Sequence, residues 1–213
     1  IITSFEKIKQ EIKSTSIQND TEIIAVSKTF SINHIMPLID HGHRHFGENK
    51  VQEAEAKWKE IKKKNVNLKL HMVGKLQSNK AKTALKIFDF IHSLDNQKLA
   101  DVLSKTQINM NKSIKYFIQV NIGNELQKSG IPVKELDAFY TYCSKEKNLD
   151  VVGLMIIPPN DGDPKKYFKT LDDLNNSLAL NELSMGMSSD YKEAISFNAT
   201  FVRLGSSIFG SRS

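Results

Sequence analysis

The sequence predicts an α/β fold: one (β/α)8 TIM barrel spanning residues 1–213, with an extra helix at its amino end. Three observations carry this. Eight short apolar runs alternate with amphipathic stretches along the chain. No low-complexity linker or abrupt change of composition divides it. The runner-up, an open doubly wound sheet, lacks its usual Gly-x-Gly-x-x-Gly fingerprint after the first strand.

The amino-terminal stretch IITSFEKIKQEIKS is amphipathic and carries acids, so it reads as the extra helix rather than a signal peptide. The first strand, 22–28, carries the run Ile23-Ile24-Ala25-Val26-Ser27, filled by β-branched and small residues without alternation and ending on Lys28, which suits a fully buried parallel strand. Further strands are expected at 44–48, 69–74, 89–93, 116–121, 151–157, 182–186 and 201–204. Between them, Ile32, Ile35, Met36 and Ile39 fall at one-face helical spacing, as do Leu136, Phe139, Tyr140 and Cys143, and Phe168, Leu171 and Leu174. Ser31, Asn79 and Asp95 are the expected helix caps.

Bulk properties narrow the function classes. No apolar run approaches the 18 or so residues of a membrane span. Cys143 is the single cysteine, which leaves no disulfide within the chain and points to a reducing cytosol. The net charge of +6 favours phosphate-bearing ligands, but no aromatic residues interleave the basic runs, so no nucleic-acid partner is expected. The run Lys62-Lys63-Lys64 suits a helix carboxyl end. His41, His43 and His45 invite a metal reading, but they sit at the start of a strand without matching carboxylate spacing, so no metal is expected. Trp58 reads as helix packing.

In a barrel, the carboxyl ends of the strands line the active face. Lys28 lies at the first. A half-desolvated amine there has a lowered pKa and can attack a carbonyl; the plainer reading is a stem packed on the core with its head in water. Asn49 follows the second strand, either facing a ligand or capping a helix. The polar stretch Gly74–Lys80 follows the third. Lys128 lies in the loop after the fifth. The last two strands run into Ser184-Met185-Gly186-Met187-Ser188 and Arg203-Leu204-Gly205-Ser206-Ser207. Small residues in these two loops suit a phosphate, because backbone N–H groups can approach it closely. A buried Arg203 needs a carboxylate or a ligand atom. An amine, a phosphate cup and a buried arginine suit a phosphorylated aldehyde: pyridoxal 5'-phosphate, or a phosphosugar held as a Schiff base.

The segments AVSKT (25–29), HFGENKVQEA (45–54), HMVGKLQSNK (71–80), IHSLD (91–95), IQVN (118–121), QKSG (127–130), GLMIIPP (153–159), LSMGMSSD (183–190) and VRLGSSIFGSR (202–212) appear in an order that resembles the YggS/PROSC family of pyridoxal phosphate homeostasis proteins. The resemblance implies a barrel like the amino-terminal domain of alanine racemase, with pyridoxal phosphate (PLP) as a Schiff base on Lys28. It also implies phosphate on Ser184 or Ser188 and the Gly205–Ser206 backbone, Arg203 facing the pyridine nitrogen, Asn49 near the ring, and Lys128 near the pocket mouth. Two departures are visible. Many relatives carry a basic residue where this chain has Phe30, and a lysine-rich tail where it reads Arg212-Ser213. The implied function is a monomeric cytoplasmic carrier and buffer of PLP with little or no turnover and no catalytic residue. Its expected partners are PLP and recipient apo-enzymes, with no membrane. The alternatives are a PLP-dependent amino-acid racemase-like enzyme, for which Tyr191 is the nearest second acid/base, and a Schiff-base aldolase.

Overall fold

The computed structural model describes residues 1–15, 21–123, 129–160 and 162–210. Helix α1 (Ile2–Thr15) precedes the barrel and buries Phe5, Ile8 and Ile12. The strands then follow: β1 (Glu22–Val26), β2 (His45–Glu48), β3 (Lys69–Met72), β4 (Phe90–Leu94), β5 (Lys115–Asn121), a two-residue β6 (Ile131–Pro132), β7 (Asp150–Met155), β8 (Glu182–Met187) and β9 (Phe201–Leu204). Every pairing is parallel, in the order β4-β3-β2-β1-β9-β8-β7-β5, and β4 pairs with β5 to close the ring. β6 hangs on β5 outside it. All eight expected strands are present, with ends shifted by up to two residues.

Helices α2 (Ile32–Asp40), α3 (Val51–Lys64), α4 (Ala81–Ile87), α5 (Gln97–Met110), α6 (Leu136–Thr141), α7 (Lys165–Ser177), α8 (Tyr191–Ile195) and α9 (Ser206–Phe209) fill the connections. The expected stripes hold: Ile35 and Ile39, Leu136, Phe139 and Cys143, and Phe168 and Leu171 are buried. The second of these stripes passes from α6 into a π turn at Tyr142–Glu146. The caps differ from expectation. Asn96, one residue past Asp95, caps α5 by accepting from Leu99 N at 2.9 Å, because its extended backbone turns the amide toward the helix start. Asn79 lies within a 3₁₀ turn (Ser78–Lys80) ahead of α4. Ser31 occupies the cap position of α2 without a side-chain bond.

Alternation along each strand sorts the side chains into two cores. Outward residues pack under the helices; Trp58 on α3 is fully buried there, 4.9 Å from the Phe46 ring. Inward residues Ile24, Val26, Phe117, Met155 and Phe201 form a smaller cluster within the barrel. β8 carries one extra residue against β9, since Ser184 pairs with Phe201 and Met187 with Arg203. Gly186 sits in that bulge at φ +89°, where a Cβ would also lie 2.6 Å from Ala194 Cβ. The bulge lets Ser184 face inward while Met187 and Ser188 reach the rim.

Candidate cofactor pocket

Lys28 stands two residues beyond the inward-facing Val26 and enters a cavity of about 400 Å3 at the carboxyl ends of the strands. Ser188, Arg203, Gly205 and Ser206 line the same cavity, together with Val26, Phe30, Val73, Ile157 and Met187. That volume lies in the range of cofactor sites. A second cavity of about 370 Å3 adjoins it across Val73 and Ile157 and is lined by Lys75, Gln119 and Asn121.

The chain around Lys28 is gripped from outside the barrel. Ser27 Oγ donates to Glu48 Oε1 at 2.8 Å, and Lys57 Nζ on α3 donates to both Glu48 Oε1 and Ser27 O at 2.9 Å. Trp58 Nε1 donates to the same carboxylate oxygen at 2.9 Å. Glu48 is fully buried, so this is an ion pair with little solvent screening. On the other side of Lys28, Thr29 N donates to Glu53 Oε1 at 3.1 Å. Thr29 has φ +71°, a left-handed conformation that a β-branched residue adopts only under constraint.

Arg203 on β9 is buried and points along the interior. NH1 donates to Ser184 Oγ and NH2 to Ile156 O, each at 2.7 Å. Neither acceptor is a carboxylate. Burial lowers the guanidinium pKa to about 10, partly offset by the charge of Asp190, so it remains charged at neutral pH. Ser188 Oγ lies 3.1 Å from Ser207 Oγ at the start of α9. The first amides of α9 have no intrahelical acceptor, which suits an anion. Phe30 stacks on His34 and packs against Phe209, forming an aromatic wall on this side.

Five of the seven expected ligand-binding residues therefore meet: Lys28, Ser188, Arg203, Gly205 and Ser206. Ser184 does not reach the cavity wall, because its hydroxyl is committed to Arg203 and His92 behind it. Asn49 also lies off the wall. It does not cap α3, whose cap position is Lys50, and its Oδ1 is buried with no partner among the described residues. Lys128 and Arg212-Ser213 lie outside the described residues. Tyr191 points away from the pocket: its hydroxyl donates to Glu11 Oε2 on α1 at 2.5 Å.

The family pattern described as "Alanine racemase, N-terminal domain" matches residues 5–213. A protein of Aquifex aeolicus named "Pyridoxal phosphate homeostasis protein" is 37% identical over 204 residues, covering 92% of this chain and 89% of that one. The chain belongs to the pyridoxal phosphate homeostasis protein family. The structure of PipY from Synechococcus elongatus, solved with PLP bound, is 35% identical and covers 95% of this chain and 100% of that chain, with a TM-score of 0.84. The alanine racemase of Clostridium difficile shares the fold at a TM-score of 0.75 and 12% identity, but only 55% of its chain is covered.

Two groups near the pocket of this family member were not among the expected site residues. One is the Glu48–Lys57–Glu53 grip. The other is a file of inward histidines, His45, His71 and His92, leading to Ser184. Counting alternate residues inward along β2, β3 and β4 would have found the second. His41 and His43 do not join it as metal ligands: His41 Nε2 meets Glu6 and His43 Nε2 meets His45 O, each at 2.8 Å.

Proposed function

We propose that the chain binds pyridoxal 5'-phosphate in the cavity lined by Lys28 and Arg203 and acts as its carrier and buffer. The carrying observation is the meeting of an amine, a buried arginine and the small-residue loops after β8 and β9 in one cavity of about 400 Å3. The relatives' name and the PLP-bound neighbour support the same ligand. Bound PLP supplies an aldehyde that condenses reversibly with a lysine amine. In this reading Lys28 holds it covalently, and Ser188 with the Gly205–Ser206 backbone holds its phosphate. Asn49, with its unpartnered buried oxygen, flanks the ring, and Ser184 acts one step behind through Arg203.

Arg203 decides how much chemistry follows. A charged guanidinium beside a pyridine nitrogen opposes its protonation, and an unprotonated ring is a weaker electron sink. One observation weighs against the racemase alternative: Tyr191 is bonded to Glu11 away from the cavity. The reading is therefore a non-catalytic monomer of the cytoplasm, with PLP-dependent apo-enzymes as recipients. No helix among the described residues is long and apolar enough to cross a membrane.

Borohydride reduction of PLP-loaded protein followed by peptide mapping tests the site. The expected result is one pyridoxyl adduct, on Lys28. An adduct elsewhere overturns the assignment, and steady racemisation of amino acids by the purified chain overturns the carrier role.

A further inference from the structure

A column of hydrogen-bonded side chains crosses the barrel interior beneath the pocket. His45 Nδ1 lies 3.0 Å from His71 Nε2, His71 Nδ1 lies 2.9 Å from His92 Nε2, and His92 Nδ1 lies 2.8 Å from Ser184 Oγ. Ser184 Oγ in turn accepts from Arg203 NH1 at 2.7 Å. His71 stacks on Phe90 and His92 on Phe117, each with ring centroids 4.3 Å apart. Burial pushes His71 and His92 well below the ordinary histidine range, so both imidazoles are neutral.

Proton counting gives the column a direction. A neutral imidazole has one donor nitrogen and one acceptor nitrogen. Ser184 is fully buried, and its hydroxyl proton needs an acceptor. Arg203 offers none. His92 Nδ1 is the one acceptor within reach of that hydroxyl among the described residues. Ser184 therefore donates to His92 Nδ1, His92 donates from Nε2 to His71 Nδ1, and His71 donates from Nε2 to His45 Nδ1. The opposite direction would make Ser184 accept twice and leave its own proton unbonded.

We propose that His92 is a positioning residue for Arg203. By accepting the hydrogen bond of the Ser184 hydroxyl it turns the Ser184 lone pairs toward Arg203 and fixes the guanidinium against the pocket. His71 and His45 hold His92 in the Nε2–H tautomer that this requires. The effect on the ligand rests on the PLP reading above; the tautomers rest on the column alone.

The test has two arms, both on the whole chain. Nitrogen-15 NMR of histidine-labelled, ligand-free protein reads the tautomers, and the expected result is Nε2–H at His92 and His71. The second arm compares His92→Asn with His92→Gln. Asn places an oxygen where Nδ1 stands and still accepts from Ser184; Gln reaches past that point and serves only His71. PLP affinity by titration should stay within about threefold for Asn and weaken about tenfold for Gln, with a shifted absorbance maximum, in line with loss of one hydrogen bond behind a charged group. A merely structural role predicts the reverse order, because Asn leaves the larger void beside Phe117. An Nδ1–H tautomer at His92, or Gln binding like the unsubstituted chain, overturns the proposal. Where a variant does not fold, the tautomer spectrum of the unsubstituted chain decides. Absence of a pyridoxyl adduct on Lys28 in the unsubstituted chain overturns the PLP reading instead and leaves the tautomers to decide the positioning role.

Discussion

Lys28 and Arg203 enter one cavity from neighbouring strands, β1 and β9, yet they are anchored in opposite ways. The grip near Lys28 falls on the residues either side of it, comes from outside the barrel, and is made by charged groups: Glu48, Lys57 and Glu53. Arg203 is held by its own side chain, from inside the barrel, through a hydroxyl, a carbonyl and neutral imidazoles. In the proposed role the contrast has a use. A lysine that bonds reversibly is best placed through its backbone, whereas a cation that must stay charged is best fixed by direct contacts with neutral dipoles, with the opposing charge of Asp190 acting only at longer range. The two anchors should also fail under different insults.

Acid should strike the Arg203 side, with the largest effect. Burial lowers the pKa values of the column histidines His45, His71 and His92 from an ordinary value near 6.5, and burial also holds His43, outside the column, at about 4, so the comparison is made in a His43→Asn background. A histidine whose folded pKa is depressed contributes stability above its unfolded pKa and loses it as pH falls toward the folded one. Below about pH 6.5 the unfolded chain takes up protons that the folded chain refuses, at about 1.4 kcal/mol per pH unit for each fully buried imidazole. Urea midpoints should fall steeply from pH 7 to pH 5. A flat profile over that window would show that the column is not neutral and would erase the contrast.

Removing a charge should strike the Lys28 side. Lys57→Met leaves the Glu48 carboxylate buried with only Ser27 and Trp58 as donors, and should cost about 3–5 kcal/mol in chemical denaturation. Adding Glu48→Gln to that variant should restore part of the loss, since no charge then remains uncompensated. A cost below about 1 kcal/mol would mean the pair behaves like an exposed one.

A smaller effect separates the grip from simple crowding at the next strand end. At Gly74 a Cβ would lie 2.5 Å from Asn49 O and 2.8 Å from Asn49 Cα, both backbone atoms that cannot swing away. Gly74→Ala should therefore destabilise by about 1–3 kcal/mol and displace Asn49, while the pH profile keeps its slope. A change in that slope would tie Asn49 to the column.

The barrel was legible because its signal is local. Runs such as Ile23–Val26 and Phe201–Leu204 are apolar enough to be read as strands without tertiary context, and the positions of Lys28, Ser188, Arg203, Gly205 and Ser206 follow from where those runs stop. Ser184 was harder. Its distance from the cavity wall depends on the Gly186 bulge, which inserts one residue between Ser184 on β8 and Ser188 just past its end and follows from pairing with β9. The histidine column was missed as a unit, because His45 was grouped with its sequence neighbours His41 and His43, whereas its partners His71 and His92 come from other strands and are found only by counting inward positions across β2, β3 and β4. Helix caps failed for a smaller reason: Asp95 and Asn96 are both good caps, and only the backbone angle at Asn96 chooses between them.

Thr29 gives the finest test of how the Lys28 segment is held. Its φ of +71° places a β-branched side chain in a region where Asn is far better tolerated. Thr29→Asn keeps the N–H that donates to Glu53 and removes the strain, so it should stabilise the fold by about 0.5–1 kcal/mol. If the outside grip alone sets the position of Lys28, pyridoxyl trapping on Lys28 should proceed at the rate seen with the unsubstituted chain. A slower rate in a more stable protein would mean that the strain itself aims the lysine, and that the two anchors differ in tension as well as in charge.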